Sequence, residues 1–158
     1  MAWNLSVMAV QASPEDLENI VPDVMYCAEQ DLWFEDAASS RMGKDLGVGR
    51  YKDWVLVLDV AGRIIFRPEW PQALSRRFLV HTFLISENPV LRTYQQGDCL
   101  FEAQGIPALA AWLSEDNINP RDAWGETMAQ QAMEHLVLEG QNWGDTLLPL
   151  KFDRYALD

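Results

Sequence analysis

The chain has 158 residues, enough for one domain of ordinary size with a buried core. Its composition of 49% hydrophobic, 11% aromatic and 23% charged residues is that of a globular protein rather than a disordered one. Twenty-four acidic side chains against twelve basic ones give a net charge of −12, a field that repels phosphate backbones and argues against nucleic acid as a partner.

In chain order, "WNLSVMAV" at the start has β-type content. "SPEDLENIV" then supplies a helix start, with Ser13 as cap, Pro14 at the first helical position, acids in the first turn, and Leu17, Ile20 and Val21 on one face. Residues 23–43 follow neither helical nor strand period. The next stretch, "GKDLGVGRYKDW", is rich in glycine but fits neither common phosphate motif, because Lys44 precedes Gly47 and Gly49 instead of following the last glycine. A phosphate loop opens onto a helix, whereas an apolar β-type run follows here, so the glycines are read as serving a hairpin strand. "WVLVLD" and "RIIFRP" are predicted as two strands joined by a turn at Gly62.

"PEWPQALSRRF" reads as a short helix, "FLVHTFLIS" as a buried strand, and "PVLRTYQQ" with "DCLFEAQ" as a hairpin turning at Gly97. Pro107 begins a helix through "PALAAWLSED". A second helix is predicted from an Asn119 cap and Pro120 to Gly140, with Ala129, Ala132, Met133, Leu136 and Val137 on one face. "LLPLKF" is predicted as an edge strand, since Pro149 is tolerated only at an edge or bulge. Strands followed by clustered helices predict an α+β fold: a mainly antiparallel sheet of hairpins and meanders with helices packed on one face, spanning residues 1–158 as one domain.

The opening residues lack the basic start of a signal peptide, and no apolar run approaches the roughly 20 residues that span a bilayer, so the chain is read as cytoplasmic with no membrane partner. Cys27 and Cys99 sit among apolar residues and are expected as reduced core thiols.

The inventory for catalysis is thin. Neither of the two histidines lies in a metal or nucleophile motif, and no cofactor or metal is expected. His81 alternates with Leu79, Phe83 and Ile85 on one strand face, which favours a core histidine over a catalytic base. His135 falls on the flank of the long helix. Paired carboxylates are abundant, and in so acidic a chain a solvated face is the default account of each pair. Seven tryptophans are the least ordinary feature. Trp54 and Trp112 occupy periodic positions expected in the core, while Trp33, Trp70 and Trp143 lie in less regular segments near acids. There they suit either the closing edges of the core or a protein interface, whose anchors favour tryptophan.

In its acidity, its size and segments such as "LGVGRYKDWVLVLD" and "NPVLRTYQQGDCLFEAQG", the chain resembles bacterial immunity proteins, the cognate inhibitors made beside toxins. The resemblance implies a noncatalytic protein that binds and neutralises a toxin acting in the cytoplasm. The residues expected to carry binding to a protein partner, expected to be basic, are Asp31, Trp33, Glu35, Asp36, Trp70 and Trp143. Two alternatives stand beside it: a small-molecule-binding or enzymatic domain with a polar pocket around His81, Arg92 and Tyr94, and a subunit of a larger assembly.

Overall fold

Eight strands form one sheet in the computed structural model, which describes residues 4–157. They are β1 (Leu5–Gln11), β2 (Met25–Trp33), β3 (Leu46–Tyr51), β4 (Trp54–Asp59), β5 (Val80–Ile85), β6 (Val90–Gln95), β7 (Asp98–Gln104) and β8 (Lys151–Leu157). Their order across the sheet is β2-β8-β3-β4-β1-β5-β6-β7, and every neighbouring pair is antiparallel. The described helices are α1 (Leu17–Ile20), α2 (Phe34–Ala37), α3 (Arg63–Phe66), α4 (Glu69–Leu74), α5 (Ile106–Glu115), α6 (Gly125–Leu136) and α7 (Trp143–Leu147). The chain is thus an α+β fold on a mainly antiparallel sheet, as the order of its elements predicts. Trp3, read at the start of the first strand, lies outside the described residues.

Strand alternation divides the core in two. Leu5, Val7 and Ala9 of β1 join Phe83, Leu109, Met133 and Phe152 on the face covered by the long helices α5 and α6 together with α2 and α7. Met8 and Val10 point the other way, to Val57, Tyr94, Ile20 of α1 and Ile64 of α3, with Trp70 and Leu74 of α4 packed against them. The second face is therefore covered too, by short helices instead of long ones. Cover on both faces explains why β1, β4 and β5 read as nearly continuous apolar runs rather than as alternating strands. Each such fully buried side chain contributes roughly 1.5–3 kcal/mol over an exposed one.

Several local expectations are corrected. The hairpin partner of β4 is β3, through a two-residue turn at Lys52 and Asp53. "RIIFRP" does not form a strand, because the buried Asp59 carboxylate accepts the backbone N–H groups of Ala61 at 3.0 Å and Arg63 at 2.8 Å. With Gly62 at φ 79°, those two bonds wind the chain into α3. Gly47 and Gly49 of "GKDLGVGRYKDW" lie inside β3, while Gly43 precedes it. A Cβ at Gly49 would stand 2.6 Å from the Phe152 ring, so this glycine exists to admit a neighbouring core aromatic.

Helix α6 begins at Gly125 rather than Pro120. Its own Gln131 ties the preceding loop down, accepting from the Arg121 N–H at 2.9 Å and donating to the Asn119 carbonyl at 3.0 Å, which holds that loop out of the helix. Strand β8 begins after Pro149 and runs between β2 and β3, so it is interior; the edges are β2 and β7. Cys27 and Cys99 lie on those two edge strands, both free and exposed, not in the core.

Candidate functional site

The described surface that differs most from the rest of the sheet is its β2 margin. All nine residues of β2 escape full burial, and the strand is paired on one side only. Its pairing with β8 slips twice, between Cys27 and Glu29 and between Glu29 and Leu32. Asp31 takes a left-handed φ of 61° there, and its backbone N–H is held by the Asp153 carboxylate at 3.2 Å. Such irregularity, with acidic side chains, keeps an edge strand from pairing with another copy of itself. Tyr26 and Trp33 remain about half exposed, and Val24, just before the strand, is 70% exposed.

Four of the six predicted partner-binding residues meet at the end of this margin, where β2 runs into α2: Asp31, Trp33, Glu35 and Asp36. Their side chains diverge. The Trp33 ring lies on the same sheet face as Lys151, whose ammonium sits 3.1 Å from the ring centroid. Asp36 pairs with Arg41 at 3.1 Å beside a small depression shared with Glu29 and Arg154. Glu35 lines a wider depression with Phe34 and Trp143.

The other two predicted residues are elsewhere. Trp70 sits on α4, packed half-buried against the second core. That helix lies over β5 and β6, about 24 Å or more from β2 at the usual strand spacing. Trp143 is a core residue, 5% exposed, with its ring edge-on to Phe34 at 5.2 Å and its indole N–H directed at the Met133 sulfur at 3.3 Å. Its backbone N–H is held by the buried Glu134 carboxylate at 2.7 Å. Of the two readings open for the irregular tryptophans, core closure describes Trp143, and of the three Trp33 alone stands half-exposed at the surface.

The alternative pocket around His81 is not assembled. His81 faces the first core between Trp54 and Phe83, with ring centroids 5.5 and 6.3 Å away, and its Nδ1 lies 2.8 Å from the Thr93 hydroxyl. Burial pushes its pKa down to about 4, so the ring is neutral near pH 7. Arg92 and Tyr94 occupy the opposite sheet face. Arg92 donates to the Ile65 carbonyl at 2.7 Å and pairs with Glu102, while Tyr94 belongs to the second core. His135, on α6, bonds Asp116 at 3.0 Å near the surface.

Sequence reasoning passed over a group on the inward side of the same margin. Lys151, Asp153 and Tyr155 alternate along β8 and share its second face, where they line a depression of about 310 Å³ with Asp31, Arg50 and Leu17. Burial is the main cause that pushes the Tyr155 hydroxyl's pKa up, aided by Cys27 and Asp153 nearby. The period-two spacing of "KFDRY" carried that signal, once the segment was placed as a strand from Lys151 rather than from Leu147.

Among the described residues no cluster of three His, Cys, Asp or Glu side chains is placed to hold a metal ion, and no helix is long and apolar enough to cross a membrane. Comparison with protein families, curated proteins and solved structures returns no match.

Proposed function

We propose that this chain is a noncatalytic acidic binding protein whose partner is a basic protein, in the manner of an immunity protein that neutralises a toxin acting in the cytoplasm. The observation that carries the reading is β2 itself: a nine-residue edge strand that buries none of its residues and that leads, through Asp31 and Trp33, into Glu35 and Asp36 of α2. A half-exposed tryptophan on a margin that also carries carboxylates offers a partner an anchor and a steering field, and a net charge of −12 selects basic partners over acidic ones. The same charge opposes pairing of two copies along this edge. His81, buried between Trp54 and Phe83, is withdrawn from any substrate that would need it as a general base.

The test is a pull-down from the native host with the tagged chain at low and high salt, followed by mass spectrometry. One basic protein retained in stoichiometric amount is expected, with slower association at high salt and loss of retention on combining Asp31→Ala with Trp33→Ala. A retained partner indifferent to those changes, or no partner at either salt, would overturn the assignment.

A further inference from the structure

The depression around Asp31 does not end at β8. It shares Pro14, Leu17 and Tyr155 with a second one of about 390 Å³, and the two form a continuous trough between the Pro14–Asp16 turn with α1 and the sheet strands β2, β8 and β3. Leu17, Val48, Met25 and Tyr155 form its apolar floor, all packed on the second core. Its rim is unevenly charged. Glu15, Glu18 and Asp23 border the outer half, which no lysine or arginine lines. Asp31 and Asp153 border the inner half, together with Arg50 and Lys151.

Most of the rim is free to engage a visitor. Among the described residues Glu15, Glu18, Asp23 and Asp31 form no ion pair, in contrast to Asp59 and Glu134, whose carboxylates are consumed by Arg63 and Arg121. Glu15, Glu18 and Asp23 are all exposed. An apolar floor between carboxylate walls fits one kind of occupant: an extended segment that sets aliphatic side chains inward and lysine or arginine side chains along the rim. Alternation of side chains along an extended chain delivers that arrangement.

We infer that this trough is the seat for a basic, extended segment of the protein partner, with Glu15, Glu18 and Asp23 taking its cationic side chains and Leu17, Met25 and Tyr155 its aliphatic ones. The inference rests on the protein-binding reading above and adds the partner's chemistry and its place. A free small cation lacks the aliphatic side chains the floor would hold, and a second copy of this chain would bring more carboxylates to an acidic rim.

The probe is the hexapeptide acetyl-Lys-Val-Lys-Val-Lys-Val-amide, titrated into the full chain and followed by amide chemical shifts. Saturable shifts at Leu17, Met25, Asp31 and Tyr155 are expected. Reversing two rim charges, Glu18→Lys with Asp23→Lys, should weaken binding about tenfold, the size expected when two exposed charge pairs turn from attraction to repulsion. The control Glu87→Lys with Asp98→Lys makes the same change in net charge at two distant exposed positions, the β5–β6 connection and the start of β7, and should leave affinity within about twofold if the site is local. Equal weakening by both pairs, shifts spread over the acidic surface, or no saturable binding would each overturn the trough. Those outcomes leave the retained partner of the pull-down untouched, so the two readings fail separately.

Discussion

Strands β1 and β2 belong to the same sheet, yet six of the seven residues of β1 are buried and none of the nine in β2 is. The difference lies in what surrounds them. β1 has a strand on each side and helices over each face, so both sets of its alternating side chains enter a core. β2 has one neighbour, two slips of register and a left-handed Asp31. An interior strand is held by packing and tolerates few changes, whereas a margin held mainly by one ladder can carry exposed aromatic and acidic side chains at little cost to the fold. Binding residues concentrate where such freedom exists.

Substitution should separate the two regions sharply. Phe83→Ala, which empties a fully buried site beside β1, is expected to cost about 3–5 kcal/mol in urea unfolding. Tyr26→Ala on β2 should stay within about 0.5 kcal/mol. Comparable losses at the two positions would mean that the margin is as tightly integrated as the interior.

Acid should find the interior before the margin. His81 titrates near 6.5 in the unfolded chain but at about 4 when folded, because burial penalises its charged form. The unfolded state therefore binds the proton first as pH falls. The contribution of neutral His81 is fully present above about pH 6.5, declines between about 6.5 and 4, and amounts to about 3 kcal/mol over that window. His81→Gln should flatten this part of the stability profile relative to the native chain. An unchanged slope between those pH values would contradict burial as the cause of the shift.

The legibility of the chain follows the same division. Apolar, β-rich runs made β1 and β5 readable, turn signals marked the β6–β7 hairpin, and strand geometry placed Leu79, His81, Phe83 and Ile85 on one face as the packing has them. Helix α5 and the buried face of α6 were readable from their 3.6-residue period. Residues 23–43 were not, since two bulges break the period of β2 and leave its side chains without a common face. "RIIFRP" was misread because its apolar run suits a strand equally well, and only the folded position of Asp59 decides the matter. The candidate margin was partly legible: acids and a tryptophan clustered at 31–36 were visible as composition. The trough was not, because it joins residues from the two ends of the chain with β3 between them.

Glycine in β3 offers a narrower probe of how the margin is attached. Gly49 lies beside β8, and a methyl group there would meet the Phe152 ring at 2.6 and 2.7 Å and the Lys151 carbonyl at 3.0 Å. Phe152 is fully buried and has little room to turn, so Gly49→Ala should destabilise by about 1–3 kcal/mol, the usual range for overpacking. Strands β8 and β2 should loosen together, since β2 pairs only with β8. Faster amide exchange confined to those two strands would support this order of attachment. Uniform acceleration across the sheet would show that the margin unfolds only with the interior.

A small expected effect on stability is the most informative about function. Trp33→Ala removes a half-exposed ring and its contact with the Lys151 ammonium, worth about 0.5–1 kcal/mol where solvent reaches the pair. The fold should keep its unfolding midpoint nearly unchanged. If Trp33 anchors a partner, association should nonetheless weaken by about 2 kcal/mol or more, because a buried interface tryptophan contributes far more than the same ring does at a free surface. Trp33→Phe should recover part of that binding through the smaller ring, whereas Lys151→Met should leave the anchor in place. A loss of binding no larger than the loss of stability would assign Trp33 to the edge of the fold and move the anchor elsewhere on β2.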